Sequence, residues 1–458
     1  MKNSPLQTLR EPAREIAVVE DCDICVVGGS CTGVFAAVRA ARLGARVALV
    51  ENNGFFGGVA TAGLVNVWHS FFNTTGETQI IAGLTEEVAT TLRNRGAAHF
   101  NDRKHEAVYL NFNPAELILA LDALVAGHPN IRPFLHTRAC AVSPEAPGKL
   151  NAVIIENVSG RQAIRAKMFV DATGNADLVV RAGGEFFIDE LRLPPTTCAL
   201  YSGIQSARAK DKHFKLDRIV LDPQNPRALR GFLWDSPVPG LGDINMVAGT
   251  RVNNVNASDA DELTFAEMEG RDQIRRTLEL VNSAPNGEHI RLVGLAAHIG
   301  VRDTRHARCL HHYTEMELLE GVAFDDTIAH GSYRVDIHYA DKPGLFFRYL
   351  DGRESIVNPP LPSIEGRWRE ARAVNPTYYN IPYRSLLPKN FDNLLVCGRA
   401  LDADRAAFSA ARVMVNLNQT GEACGTAAAL AIEAGTMPAA LDVKKLQATL
   451  RKGGSALL

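Results

Sequence analysis

The clearest pattern of apolar and polar positions lies near the start of the chain, between residues 23 and 51. Residues 24–27 are a short apolar, β-branched run that indicates a buried strand, and a glycine-rich turn follows. Over residues 34–41 the apolar positions recur at the spacing of one helix face, and residues 46–50 repeat the buried-strand pattern. This order predicts a βαβ unit, whose parallel strands require helices over both faces of the sheet.

Weaker periodic signals follow along the rest of the chain. They predict helices over residues 84–96, 114–125, 264–282 and 412–435, and short strands within 131–172 and at 393–397. Thr85 is the expected N-cap of the first of these helices. In the last helix the small residues Gly421, Gly425 and Ala428 permit close packing against a neighbour. Residues 205–243 are rich in Pro, Gly and charge and are predicted as loop.

Composition narrows the class of protein. The 458 residues are 46% hydrophobic and 22% charged, which excludes a disordered chain. A formal charge of −2 provides no field that would hold nucleic acid or an anionic membrane. No apolar run is long enough for a membrane span, and residues 1–21 lack the apolar segment of a secretory signal. Eight cysteines are too few for a disulfide scaffold, so we expect thiols and a soluble, cytoplasmic protein.

The glycine turn after the first strand is typical of dinucleotide binding. Gly28 permits a tight turn, and Gly33 lets the helix pack onto the strand, so that a pyrophosphate can reach the helix N-terminus. Ser30 replaces the middle glycine of the usual pattern, but it is small and its hydroxyl can donate to a phosphate. Glu51 lies 23 positions after Gly28, close to the spacing expected for a ribose ligand.

Three later segments strengthen this interpretation by their order along the chain. Residues 54–63 are so rich in glycine and alanine that they suit backbone passing over a flat ligand. Residues 168–177 run from a buried strand into Ala-Thr-Gly, and residues 393–399 run from another strand into Gly-Arg.

Together these motifs resemble the FAD-dependent oxidoreductases of the glutathione-reductase-like superfamily. The resemblance covers residues 22–434 and includes a G-V-R-D-T-R segment at 300–305 and a D-I-H segment at 336–338. It implies an α/β fold, with a Rossmann-like FAD-binding domain at 21–184 and 376–440 and an inserted α+β substrate domain at 185–375. Residues 1–20 would be a tail, and residues 441–458 a C-terminal helix and tail.

The resemblance also implies a set of cofactor contacts. Gly28, Ser30 and Gly33 would line the FAD pyrophosphate, and Glu51 would hold the ribose. The remaining cofactor residues would be Gly29, Cys31, Asn52, Gly57, Gly58, Val59, Ala60, Thr61, Ala139, Ala172, Thr173, Gly174, Asp177, Gly398, Arg399, Arg412 and Val413. Ala139 would meet the adenine, Gly398 and Arg399 would lie near the ribityl chain, and Arg412 and Val413 would present helix N–H groups to the flavin O2 edge, where reduced flavin gathers negative charge.

Four residues are candidates for catalysis. A flavin enzyme that oxidises an alcohol or amine needs a base for the departing proton, and His69 and His338 are the candidates for that base. Arg302 and Arg305 could anchor a carboxylate or polarise a substrate oxygen, although an interdomain salt bridge is equally consistent with each. We expect no metal, because the H-x4-H-H spacing of His306, His311 and His312 fits no ligand pattern and arginines surround it.

The sequence therefore predicts a dehydrogenase or oxidase that transfers a hydride from a small polar substrate to FAD. Carbohydrate-like hydroxyls are the first expectation for that substrate, and the electron acceptor and oligomeric state stay open. Two alternatives are a flavin enzyme with no net redox change, such as an isomerase or lyase, and a non-enzymatic flavin-binding protein.

Overall fold

The computed structural model of the chain describes residues 8–101, 108–339, 343–359 and 361–458. Its strands, in chain order, are β1 (Val18–Val27), β2 (Val47–Val50), β3 (Val67–His69), β4 (Ala98–Phe100), β5 (Tyr109–Phe112), β6 (Ile131–Phe134), β7 (Arg138–Ala146), β8 (Lys149–Asn157), β9 (Gly160–Asp171), β10 (Phe186–Ile188), β11 (Ala199–Ser202), β12 (Trp234–Pro237), β13 (Ile244–Ala248), β14 (Arg291–Leu295), β15 (Arg305–Ala307), β16 (Thr327–Gly331), β17 (Val335–His338), β18 (Leu345–Arg348), β19 (Arg353–Val357), β20 (Ile364–Arg367), β21 (Tyr379–Pro382) and β22 (Leu394–Val396). Its helices are α1 (Cys31–Arg42), α2 (Gly83–Asn94), α3 (Pro114–Ala126), α4 (Asp177–Arg181), α5 (Ile204–Lys210), α6 (Leu216–Val220), α7 (Ala260–Ser283), α8 (Glu315–Leu319), α9 (Arg405–Ala411), α10 (Met414–Ala434) and α11 (Val443–Lys452).

A seven-stranded sheet organises the described part of the chain. Its order is β6-β2-β1-β9-β8-β7, and β22 also pairs with β9. Four pairs are parallel: β6 with β2, β2 with β1, β1 with β9, and β22 with β9. Strands β8 and β7 extend the sheet beyond β9 as an antiparallel ribbon. The predicted βαβ unit is confirmed as β1, α1 and β2, and the fold class is α/β with a parallel Rossmann-like core, as predicted.

The register of the parallel strands brings their carboxyl ends together. Val27 pairs with Val50 on one side and with Asp171 on the other, and Val396 pairs with Asp171 from the next strand. Because these strands run in the same direction, the turns that follow them open at the same edge of the sheet. That edge is where ligands bind in open α/β sheets.

Helix α10 packs against α1 with almost no space between the two backbones. A Cβ added at Gly421 would lie 2.0 Å from the Thr32 carbonyl oxygen, and one added at Gly425 would lie 2.0 Å from that of Ala36. The predicted role of these small residues in close packing is therefore confirmed. Larger side chains at either position would push α10 away from α1.

Residues 185–375 contain mostly antiparallel structure. They form the sheets β12-β13-β11-β14 and β17-β18-β19-β20, and β16 pairs with β21 beyond the predicted boundary at 375. The prediction that residues 205–243 are loop was wrong, because α5, α6 and β12 lie there. Its scattered apolar residues, among them Leu216 and Val220, are buried in one core cluster, which local composition does not reveal. The domain limits themselves stay predictions.

Helix α2 begins differently from the prediction. Thr85 was expected to cap it, but the helix starts at Gly83 and the Thr85 side chain is buried, accepting a hydrogen bond from Asn418. The cap comes instead from Glu422 of α10, whose carboxylate accepts from the Leu84 backbone N–H at 3.1 Å. A distant residue thus does what the local pattern assigned to a neighbour.

Two further expectations concern membranes and thiols. Among the helices in the described ranges, none combines the length and apolar character needed to cross a bilayer. All eight cysteines are free thiols, as predicted. Burial raises the pKa of the Cys22 and Cys31 thiols to about 12, so neither is a reactive thiolate at neutral pH.

The buried Arg39–Glu422 ion pair generates a prediction about stability. Glu422 accepts from Arg39 Nε at 2.6 Å and both side chains are buried. Glu422→Gln leaves the Arg39 charge uncompensated, and we expect the free energy of unfolding to fall by about 3–5 kcal/mol, measured by chemical denaturation. Glu87→Gln is the matched control, because Glu87 pairs with Arg42 at the surface and should cost at most about 1 kcal/mol. Equal losses in the two variants would contradict the prediction.

Candidate active site

A large cavity opens at the carboxyl ends of the parallel strands. Its volume is about 1260 Å³, more than the roughly 300–1,000 Å³ of sites for drug-sized ligands. Most of the predicted cofactor residues line it: Gly28, Ser30, Cys31, Glu51, Asn52, Gly57, Gly58, Val59, Ala139, Ala172, Thr173, Gly174, Asp177, Gly398, Arg399, Arg412 and Val413. The cavity therefore has room for a dinucleotide together with a small substrate.

The glycine turn is shaped by two close backbone contacts. Gly28 has a φ of +108°, and a Cβ there would lie 2.3 Å from the Ala172 carbonyl oxygen. A Cβ at Gly33 would lie 1.8 Å from the Gly28 carbonyl oxygen. Ser30 caps α1 through its backbone, its side chain makes no capping hydrogen bond, and the first turn holds no acidic residue. The helix N-terminus and the Ser30 hydroxyl therefore remain available to an anion.

Glu51 follows β2 at the cavity wall and is held on both oxygens. Its Oε2 accepts from the Gly29 backbone N–H at 2.6 Å, and its Oε1 accepts from Asn53 N and Nδ2 at 2.7 and 2.8 Å. The carboxylate is thus fixed in place and fastens the glycine turn to the end of β2. Its remaining lone pairs can still accept from ribose hydroxyls.

Four predicted cofactor residues do not line the cavity: Gly29, Gly33, Ala60 and Thr61. Gly29 is turned toward Glu51, and Gly33 packs against the Gly28 backbone. Ala60 and Thr61 are buried, and the Thr61 hydroxyl donates to the Phe56 carbonyl oxygen at 2.8 Å. These residues support the cavity wall without lining it. A sequence motif does not show which of its residues line a cavity and which support the wall.

The position of Arg412 and Val413 also corrects the sequence interpretation. They were expected to open the last helix, but α10 begins at Met414 and Val413 is its N-cap. Arg412 closes the preceding helix, its N–H donating to the Phe408 carbonyl oxygen at 2.9 Å. Its side chain lies 3.4 Å from the Asp336 carboxylate. Both residues still line the cavity, with Arg412 supplying charge through its side chain.

The two candidate arginines separate in the structure. Arg302 lines the cavity, and its Nη1 donates to the Pro194 carbonyl oxygen at 2.5 Å and to Thr196 Oγ1 at 2.6 Å. Arg305 does not line it and forms an ion pair with Asp177 at 2.6 Å. Of the two alternatives predicted for Arg305, the structure therefore shows the salt bridge.

His69 lies at the end of β3 with its ring between two tyrosines. The centroid distances are 4.9 Å to Tyr109 and 5.3 Å to Tyr333. Its Nδ1 is buried and has no hydrogen-bond partner among the described residues. Burial lowers the pKa of His69 to about 4, and the positive charge of Arg334 lowers it further than Asp336 raises it. The imidazole is neutral at pH 7 and keeps an unused buried nitrogen at the cavity.

His338, the other candidate base, is held on both ring nitrogens. Its Nδ1 accepts from Arg251 Nε at 3.2 Å, and its Nε2 lies 3.4 Å from Asp336 Oδ1. Burial lowers the pKa of His338 well below its ordinary value, and the charges of Arg302 and Arg251 act in the same direction. Because Arg251 occupies the Nδ1 lone pair, the neutral ring has its proton on Nε2.

Several residues that line the cavity or lie behind its wall were not assigned from the sequence. Asp336 was quoted within the D-I-H segment without a role, although its carboxylate accepts from the Tyr333 hydroxyl at 3.1 Å and contacts Arg412. Thr196 and Arg251 lie far apart in sequence and in no motif. Only the fold brings them to His338 and Arg302, so the sequence carried no signal for them.

The histidines near residue 306 do not act as one group. His311 pairs with Glu317 and His312 with Asp402, whereas His306 is fully buried. The structure does gather Asp189, Asp303 and His306, with one ligand atom from each within 4.8 Å of the others. His306 Nε2 already contacts Asp303 Oδ1 at 2.9 Å, and its Nδ1 contacts the Leu401 carbonyl oxygen at 3.2 Å. The expectation of no metal stays a prediction.

The chain is similar in fold to solved structures of several other proteins. None of the curated proteins matches the chain. Among solved structures, similarity extends to a geranylgeranyl bacteriochlorophyll reductase-like protein from Thermoplasma acidophilum, with 14% identity, a TM-score of 0.45, and coverage of 95% of this chain and 84% of that one. It extends also to the flavin-dependent brominase Bmp2, with 13% identity, a TM-score of 0.46 and coverage of 94% and 83%. A p-nitrophenol 4-monooxygenase from Pseudomonas putida gives 10% identity, a TM-score of 0.43 and coverage of 94% and 84%.

The family model for FAD dependent oxidoreductases matches residues 23–450, nearly the whole chain. The match spans the glycine turn, the cavity segments and the helices that hold them. The chain belongs to the FAD dependent oxidoreductase family, and it is an enzyme that uses FAD as its cofactor.

Proposed function

We propose that this enzyme oxidises a small polar substrate by hydride transfer to the flavin, with His69 as the base that takes the substrate's proton. The observation that carries the proposal is the unpartnered Nδ1 of His69, a residue that lines the same cavity as most of the predicted cofactor residues. Carbohydrate-like hydroxyls are the proposed reacting groups. The proposed partners are this substrate and a separate electron acceptor, within a glutathione-reductase-like architecture.

The residues at the strand ends fit FAD. The free α1 N-terminus and Ser30 suit the pyrophosphate, and the fixed Glu51 carboxylate suits the ribose. Arg399, which also lines the cavity, donates to the Gly174 carbonyl oxygen at 3.4 Å and to that of Val301. When bound, FAD supplies the acceptor for a hydride at N5.

His69 suits a base better than His338 does. A general base must have a lone pair that no other protein group occupies, and it must be neutral at the working pH. His69 meets both conditions, whereas the Nδ1 of His338 is occupied by Arg251 and its Nε2 faces Asp336. We therefore assign His338 a positioning role, in which it links Arg251 to Asp336.

The first prediction tests the redox reaction itself. The purified protein should show an oxidised flavin spectrum, and acid precipitation will show whether the flavin is covalently attached. Anaerobic mixing with a panel of sugars, polyols and hydroxy acids should bleach the oxidised flavin band stoichiometrically with at least one of them. Turnover of a substrate without net bleaching would favour an isomerase or lyase. A colourless protein that takes up no FAD would overturn the proposal.

The second prediction concerns His69. His69→Gln removes the proton acceptor, and we expect flavin reduction by the substrate to slow by about 10²- to 10⁴-fold, measured by anaerobic stopped flow. The FAD content should be unchanged. His311→Gln is the matched control, because His311 pairs with Glu317 outside the cavity. A His69→Gln variant that reduces its flavin at the normal rate would exclude His69 as the base.

The third prediction follows from the lowered pKa of His69, which is about 4. A base with this pKa stays neutral, and therefore competent, at all higher pH values. The second-order rate constant for flavin reduction at low substrate concentration, which reports the free enzyme, should be independent of pH between about 8 and 5.5 and should fall only as the pH drops toward about 4. Brief pH-jump mixing keeps acid unfolding out of the measurement. A decline centred near 6.5, the ordinary histidine value, would show that His69 is not held in this environment.

A further inference from the structure

A buried arginine, Arg251, and a half-buried one, Arg302, meet at one threonine on the wall of the cavity. Thr196 Oγ1 accepts from Arg302 Nη1 at 2.6 Å and from Arg251 Nη1 at 2.9 Å. Its own proton goes to the Thr250 carbonyl oxygen at 2.8 Å. A hydroxyl has one proton and two lone pairs, so these three contacts saturate it. The two guanidinium groups are therefore locked side by side, with like charges adjacent.

The charges around this pair do not balance. The ionisable neighbours that act on Arg302 are Arg251, Arg412, Asp336 and the Cys198 thiol. Burial raises the pKa of Cys198 to about 11, so the thiol is neutral and Asp336 is the anion of the group. Three guanidinium groups thus face one carboxylate. Burial lowers the pKa of Arg251 to about 10, because the charged guanidinium has lost its contact with water.

The pair also keeps unused donors. Arg251 is 93% buried, since its exposed fraction is 7%, and its Nη2 has no hydrogen-bond partner among the described residues. Arg302 lines the cavity and uses only Nη1 in the hydrogen bonds that the described residues form. A buried cation with an unsatisfied N–H group is expected to have an anionic partner. The guanidinium fork suits a carboxylate in particular.

The predicted FAD contacts do not include the Arg251–Arg302 pair, so the pair is available to a different anion. The residues predicted to bind the pyrophosphate are at the α1 N-terminus, and Ser30 with its helix belongs to a different element from Thr196. Arg412 and Val413 are the residues that the resemblance assigns to the flavin O2 edge, and Arg412 contacts Asp336. The contacts of Arg302 are with Pro194 and Thr196, in the segment that leads into β11, and Arg251 reaches His338. All of these residues lie within 185–375, the predicted substrate domain.

We propose that Arg302, supported by Arg251 and Thr196, binds a carboxylate of the substrate, so that the enzyme acts on a small hydroxy acid or sugar acid. The inference rests on the proposed function and narrows its substrate class. The carboxylate does not react. At the neighbouring carbon, the C–H bond gives its hydride to the flavin, the hydroxyl gives its proton to His69, and the C–O bond becomes a carbonyl.

The test compares matched pairs of acids and neutral analogues on the oxidised holoenzyme. The pairs are D-gluconate with sorbitol, D-glucuronate with D-glucose, and lactate with 1,2-propanediol, and Kd is measured by calorimetry and by perturbation of the flavin spectrum. At least one acid should bind about 10- to 100-fold more tightly than its neutral partner, the range for a charge-assisted hydrogen-bonded pair. Equal affinity within every pair, or no acid binding at all, would overturn the inference.

Substitutions then locate the effect. Arg302→Gln should abolish the preference for acids with FAD content unchanged, and Arg302→Lys should restore part of it because the charge remains without the planar fork. Arg275→Gln is the matched control and should keep the preference, because Arg275 is an exposed arginine outside the cavity that is already paired with Asp272 at 2.7 Å. Loss of FAD instead of acid binding in Arg302→Gln would assign the arginine to the cofactor.

The outcomes separate this inference from the function on which it rests. If neutral donors bleach the flavin while acids neither bind more tightly nor react faster, hydride transfer stands and the carboxylate site fails. If acids bind but no donor in the panel bleaches the flavin, the binding site stands and the proposed reaction fails. The wild-type comparison decides the inference even if Arg302→Gln does not fold.

Discussion

Close backbone contact at the edge of the parallel sheet is the constraint on which the rest of the structure depends. Gly28 lies against the Ala172 carbonyl and Gly33 against that of Gly28, at distances that exclude any side chain. These contacts set the spacing of β1, α1 and β9 by backbone alone. Glu51 then ties the turn to β2 through the Gly29 N–H. The glycine turn is therefore fixed by contacts within the protein, and a site that is already formed costs less to bind a ligand.

The substrate end derives its position from the same elements. Helix α10 approaches α1 closely through Gly421 and Gly425, and its N-terminal turn follows directly on Arg412. Arg412 contacts Asp336 on β17, and Asp336 in turn faces His338. The glycine turn and the arginine wall (Arg251, Arg302, Arg334 and Arg412) are thus joined through packed helices and a short strand rather than through loops. A site built on such elements can hold a hydride donor and its acceptor in fixed alignment.

The sequence predicted the parts that local chemistry determines. The βαβ unit, Gly28, Gly33 and Glu51 carry their signal within one stretch of chain, and most of the predicted cofactor residues do line the cavity. The sequence prediction failed where a residue distant in sequence determines the local structure. Glu422, for example, caps α2 in place of Thr85. The arginine pair is the extreme case, because Thr196, Arg251 and Arg302 lie in three segments whose meeting depends on the antiparallel sheets of residues 185–375. No pattern in any one segment indicates a shared hydroxyl.

The arginine wall and the proposed base are electrostatically linked. The Arg334 charge helps to hold the pKa of His69 down, and Asp336 acts in the opposite direction. An anion bound at Arg302 adds a second negative charge to this wall, so it offsets part of the positive field and moves the pKa of His69 back toward its ordinary value. A carboxylate substrate would therefore make His69 a stronger base upon binding. His69 is neutral at pH 7 before substrate binds, and a bound carboxylate substrate would raise its pKa and so its strength as a proton acceptor.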